Sequence, residues 1–184
     1  TPHSFALDTL HCLNLGTYKS CVMTCILWCL LADAWKTGER NNTDLVSHGF
    51  FLLFKTDLYD WYSSERKRVG EAHIHSVQKF TLRMLGTPTR RTLATKAAES
   101  GALATWCIQK LASLPPGFLG EEGIALLTVG RAFGTMATVM KRNARVMPPH
   151  ELQLFLDATI TVFQHRESAG IPWTPKWHLM LHVA

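Results

Sequence analysis

The chain has no Cys-x-x-Cys pair, no apolar run of membrane length and no alternation of strand-like with helix-like stretches. Each absence excludes a class. Without paired cysteines the knuckle of a structural zinc site is missing. The five cysteines, Cys12, Cys21, Cys25, Cys29 and Cys107, are an odd number with three inside one apolar stretch. That usage suits a reducing compartment and predicts free thiols. Cys21, Cys25 and Cys29 recur every four residues and are expected to share one helical face as small core residues. The longest uninterrupted apolar run, Cys25 to Ala32, falls far short of the roughly 20 residues a membrane span needs, so no membrane partner is expected. Neither an initiator methionine nor a signal peptide opens the chain. Thr1 is therefore expected to follow a missing upstream part, in an intracellular protein.

What is present is a composition for folding. The 184 residues are 47% hydrophobic and only 18% charged, which excludes disorder as the default and allows one domain of ordinary size. Lysine and arginine outnumber aspartate and glutamate by 19 to 14, a net charge of +5. That excess is compatible with a nucleic-acid partner without demonstrating one.

Periodicity points to an all-α fold, an irregular bundle of about six or seven helices around a buried apolar helix at about 19–36. The apolar helix reads from Lys19 to Trp35. A second follows from a cap at Asn42 or Thr43 to about Ser64, with Phe50, Phe51, Phe54, Leu58, Trp61 and Tyr62 on its apolar face. Glu71 to Leu85 reads as a third, closed by Gly86-Thr87-Pro88, and Thr92 to Ser113 as a fourth. Pro115-Pro116-Gly117 is the strongest breaker and marks a sub-boundary at 115–120 within a single 1–184 domain. Beyond it, a fifth helix starts near Glu121 and Glu122 and runs to about Arg145, with Gly123, Gly130, Gly134 and Ala137 forming a small-residue face. A sixth, Glu151 to about Ser168, has Pro149 at its tolerated first-turn position and Leu152, Phe155, Leu156, Ile160 and Phe163 on its inner side.

Two clusters of cations stand out. Arg66, Lys67 and Arg68 end the second helix, where they suit the negative end of the macrodipole and can also meet nucleic-acid phosphate. Arg90, Arg91 and Lys96, with Arg83 nearby, surround the Gly86 to Pro88 turn. Other residues invite chemistry. Asp8 and His11 stand at the mouth of the first apolar segment, where Asp8 is also a natural helix cap. His178 and His182 are four apart, a zinc-pair spacing that still needs a third ligand such as His73 or Asp157. Glu99 reads as a solvated helix glutamate paired with a nearby cation.

Three short motifs, in order, carry a resemblance. Asp8-x-x-His11 followed by Leu13-Asn14-Leu15-Gly16 resembles the (Cys/Asp)-x-x-His motif of cut-and-paste DNA transposases with an RNase H-like nuclease core. Lys96-Ala97-Ala98-Glu99 resembles the Lys-Ala-x-Glu of CACTA-like and related transposases, with Ser100 and Gly101 where Trp and Arg often follow. Pro175-Lys176-x-His178-x-x-x-His182 resembles a segment found late in CACTA-like proteins.

The resemblance implies the helical insertion and flanking helices of a transposase-like nuclear protein, whether active or a relic. It makes Glu99 a candidate catalytic ligand for Mg²⁺, with Asp8 and His11 buttressing the active-site edge. The strands that would supply the other carboxylates are expected upstream of Thr1. The chain alone is therefore expected to be catalytically incomplete, with no cofactor of its own, and Mg²⁺ to belong to the parent. DNA is the expected partner. The competing expectation is a non-enzymatic helical interaction or scaffold domain.

Overall fold

The computed structural model describes residues 16–35, 48–70, 74–86, 93–143 and 146–173. Among them the secondary structure is all helical: α1 (Tyr18–Leu31), α2 (His48–Val69), α3 (Ala97–Ser113), α4 (Pro116–Arg142) and α5 (Pro149–His165), with a short 3₁₀ turn at Leu82–Leu85.

The apolar sequence of α1 dictates its position. Tyr18, Cys21, Val22, Cys25, Ile26 and Cys29 are all buried, and the helix packs against α2, α3 and α4. It ends at Leu31, one turn earlier than the expected Trp35. Asp33 takes a left-handed conformation (φ 53°), and the Ala34 N–H reaches back to the Cys29 carbonyl at 3.0 Å. This closure normally uses glycine, and aspartate is one of the few other residues that tolerate it. By contrast α2 runs one turn beyond the expected Ser64, until Gly70 (φ 90°) caps it by donating to the Arg66 carbonyl at 2.9 Å.

The third expected helix, Glu71 to Leu85, is the main correction. Residues 74–81 are not helical, and only Leu82–Leu85 forms a 3₁₀ turn. The spacing of Val77 and Phe80 fitted a helix, yet both reach the core from an irregular chain whose N–H groups bond to tyrosine side chains on α2. Phe80 packs with Phe51 and Phe54, and Phe54 meets Trp106 edge-on with ring centres 5.3 Å apart. Side-chain acceptors and aromatic packing here outweigh a local 3.6-residue pattern.

Helix α4 begins with a single turn from Pro116, breaks at Gly120 (φ 59°) and continues from Glu121. It pairs with α5 in an antiparallel hairpin. Arg142 faces Glu151 at one end, while Gly170, just past α5, sits beside Glu122 at the other. The inner face of α5 is Phe155, Ala158, Thr159 and Val162. Leu152 and Ile160, expected on that face, are instead 42% and 53% exposed. The reason is angular: among the described helices α4 is the main partner of α5, and it covers the stripe through Phe155 and Val162. Among the described residues α4 is the one helix long and apolar enough to cross a membrane, by length and composition only, and more than half of that apolar stretch is buried inside the protein.

Small residues let α4 approach its neighbours. A methyl group at Gly130 would lie 3.0 Å from Ile108 Cγ1, and one at Gly123 would lie 2.7 Å from the Trp28 ring. Gly101, in the interior of α3, has nothing within 4 Å of such a methyl. Two glycine substitutions should therefore differ in sign. Gly130→Val is expected to lower unfolding free energy by about 2 kcal/mol through overpacking. Gly101→Ala is expected to raise it by about 0.5–1 kcal/mol through helix propensity. Urea denaturation followed by circular dichroism measures both, and equal effects would remove the close-approach explanation.

Candidate nucleic-acid interface

The irregular segment creates the site. Tyr59 Oη accepts the Phe80 N–H at 2.9 Å and donates to the Gln78 carbonyl at 3.2 Å, while Tyr62 Oη lies 3.4 Å from the Val77 N–H. Burial pushes the Tyr62 hydroxyl up to about 12. It therefore stays a neutral hydroxyl throughout the physiological range. Held in this way against α2, residues 74–78 form the floor between the end of α2 and the start of α3. The result is an open cleft of about 460 Å³ lined by Arg66, Ile74, His75, Ser76, Gln78, Lys96, Ala98 and Glu99.

Three residues singled out from sequence thus meet at one cleft, Arg66 from the end of α2 and Lys96 and Glu99 from the start of α3. Arg66 is half-buried and donates through Nη2 to Ser76 Oγ, and Gln78 Nε2 donates to the same oxygen at 3.2 Å. The Lys96 side chain is exposed at the rim. Lys67 is exposed on the neighbouring turn of α2. Arg68 differs from the expectation for its run, because its guanidinium clasps Glu65 with Nη2 2.6 Å from Oε2 and Nε 3.0 Å from Oε1. That hydrogen bonding holds the nearly buried Glu65 carboxyl below its usual range.

Glu99 is the N3 residue of α3. Its Oε2 accepts the Lys96 N–H at 2.8 Å, the carboxylate half of a capping box. The same turn is tied by Thr95 Oγ1 and Ser100 Oγ, 2.7 Å apart. Glu99 therefore caps its own helix, and among the described residues it forms no ion pair. A hard divalent cation needs several oxygen ligands. Among the described residues no group of three or more His, Cys, Asp or Glu side chains could hold a metal ion, so Glu99 alone does not make a Mg²⁺ site. Asp157, named as a third zinc ligand, is exposed on α5 and accepts from Gln153 at 2.8 Å. Asp8, His11, His73, Arg90, Arg91, His178 and His182 lie outside the described residues.

The thiols belong to the core. Cys21, Cys25, Cys29 and Cys107 are free and buried. Burial pushes the Cys21 thiol up to about 12. Hydrogen bonding to Cys107 raises Cys25, bonding to Cys25 raises Cys29, and burial raises Cys107. Such thiols remain protonated and poorly nucleophilic.

Sequence reasoning named neither Ser76 nor Gln78, which fell inside the expected Glu71 to Leu85 helix. A further missed cluster joins Asp57 Oδ2 to Lys110 Nζ at 2.5 Å and to Trp35 Nε1 at 2.8 Å, with the ammonium 4.9 Å from the Trp35 ring. Separations of 22 and 53 residues leave no local signal for it. Against known proteins, the chain matches no family model, no curated protein and no solved structure.

Two measurements check this construction. Tyr59→Phe should strip the Phe80 N–H of its acceptor, costing about 1–3 kcal/mol of stability and speeding hydrogen exchange at the Phe80 amide. Unchanged protection there would show that the hydroxyl does not hold the segment. Glu65 has its carboxyl depressed in the folded state, so its contribution is complete above the unfolded value near ~4.3 and fades as pH falls through the lower folded value. The stability gap between the native protein and Glu65→Gln should therefore be widest near neutral pH and close as the solution is acidified below about pH 4. A gap independent of pH would rule out the Arg68 clasp as its source.

Proposed function

We propose that this chain is the helical insertion and flanking helices of a transposase-like protein, and that it contacts DNA backbone at the cleft between α2 and α3. The observation that carries the DNA contact is the convergence of Arg66 and Lys96 on one open cleft, with exposed Lys67 on the adjoining turn. Cations from separate helices, aimed at one concavity and not matched by an equal number of carboxylates, suit an extended polyanion.

In this reading the full insertion has six or seven helices, with α1 as its buried centre. Arg90 and Arg91 extend the cationic surface from the loop that leads to Lys96. The parent's upstream strands are the partner that completes the fold, and they supply the carboxylates for Mg²⁺. This chain by itself does not cut DNA. A nuclear location follows from the substrate.

A scaffold role is the second reading, and the apolar outer side of α5 favours it. Leu152 and Ile160 are exposed there, and Trp173 packs against Phe163 at one end. Fluorescence anisotropy with labelled duplex and single-stranded DNA separates the two. Backbone contact through Arg66, Lys67 and Lys96 predicts that log K falls with log salt at a slope of about −2 to −3 or steeper. Lys67→Gln and Lys96→Gln should each flatten it by about 1. Absence of binding at low salt would favour the scaffold.

A further inference from the structure

The cleft differs from a flat cationic face in having an inner wall of organised donors. A serine hydroxyl has two acceptor lone pairs and one hydrogen to donate. Both lone pairs of Ser76 are engaged, by Arg66 Nη2 and Gln78 Nε2. Its own hydrogen must then be directed away from both. The remaining guanidinium hydrogens of Arg66, the second amide hydrogen of Gln78 and the Lys96 ammonium are further donors around the same space. The acceptors among these side chains are the amide oxygen of Gln78 and the carboxylate of Glu99, one of whose oxygens is already bonded to the Lys96 N–H.

A ligand complementary to this wall is rich in acceptors and negative charge at one end, and offers a donor to Glu99 at the other. A phosphomonoester carries about −1.5 to −2 charges at neutral pH and three terminal oxygens. A phosphodiester inside a strand carries one charge and two. The cleft's volume of about 460 Å³ lies at the lower end of the range for small-ligand pockets and accommodates about one nucleotide. A duplex cannot enter it. The hydroxyl of a sugar or the amino group of a base would meet Glu99.

We infer that the cleft formed by Arg66, Ser76, Gln78, Lys96 and Glu99 receives the 5′-phosphorylated end of a nucleic-acid strand. This rests on the nucleic-acid reading above and adds that the chain distinguishes an end from the interior of a strand. Arg66 supplies a planar pair of donors, held in place by Ser76, and Lys96 closes over the phosphate as a mobile point charge.

The test uses the full chain and two fluorescent single-stranded DNA decamers of one sequence, one with a 5′-phosphate and one with a 5′-hydroxyl, with dAMP and inorganic phosphate as competitors. The phosphorylated strand is expected to bind about tenfold more tightly. dAMP should displace it more effectively than inorganic phosphate, because its sugar hydroxyl and base amino group can meet Glu99 while its phosphate stays with Arg66 and Lys96. Arg66→Gln should abolish the preference, and Ser76→Ala should reduce it about threefold. Circular dichroism checks that both variants fold. The exposed Lys96→Gln gives a further reading should Arg66→Gln fail to fold, and it too should reduce the preference.

Equal affinity for the two decamers overturns the strand-end inference and leaves backbone binding intact. Binding of dAMP with neither decamer bound overturns the strand end and the nucleic-acid reading together. Failure of all probes to bind does the same.

Discussion

Two tyrosine hydroxyls on α2 hold in place the irregular segment that floors the cleft between α2 and α3. A chain segment that enters a core without forming a helix must still satisfy its N–H groups. Tyr59 meets that demand at Phe80 and Tyr62 at Val77, which keeps residues 74–80 unwound while their apolar side chains stay buried. An unwound segment places neighbouring residues on different sides. Val77 and Phe80 face inward, and Ser76 and Gln78 lie along the cleft with Arg66. A helix over the same residues would need its N–H groups for its own carbonyls, and the floor of the cleft would be lost.

Ion pairing then decides which cations remain for a ligand. Arg66, Lys67 and Arg68 look equivalent in sequence, but Glu65 binds Arg68 through both carboxylate oxygens. On α3, Lys110 is held by Asp57 beneath the Trp35 ring, whereas Lys96 on the preceding turn is exposed. The pairs at Glu65 and Asp57 take up Arg68 and Lys110, while Arg66 and Lys96 line the cleft and Lys67 is exposed next to Arg66 on α2. A net charge of +5 therefore says little about where a polyanion would bind, because local pairing redistributes it.

Much of the architecture was legible in the sequence because its causes are local. The helical state of α1, the break between α3 and α4 at Pro115-Pro116-Gly117 and the close approach of α4 at Gly123 and Gly130 are each set by neighbouring residue types, whereas Ala137, expected on the same small-residue face, is exposed. The failures share a different cause. Asp33 ends α1 in a conformation usually taken by glycine, so no breaker announced the turn. The stretch from Ile74 to Phe80 had helical spacing, but its backbone partners lie on α2, 15 and 21 residues earlier. Leu152 and Ile160 have the right period for a core face, but among the described residues α4 covers a different stripe of α5. At the site, cation identity could be read from sequence. The grouping of Arg66 with Lys96 could not, since it depends on the unwound segment between them.

Glu99 shows how a structural and a chemical role can share one residue. Its capping bond to the Lys96 N–H is worth about 1 kcal/mol, as for other helix caps. That bond fixes the carboxylate at the edge of the cleft and leaves one oxygen without that obligation. A ligand offering a hydroxyl or amino hydrogen can therefore use Glu99 without breaking the cap. In the proposed reading the carboxylate that starts α3 lies where a donor held apart from the phosphate, on a sugar or a base, can reach it, and that position is already required by the cap.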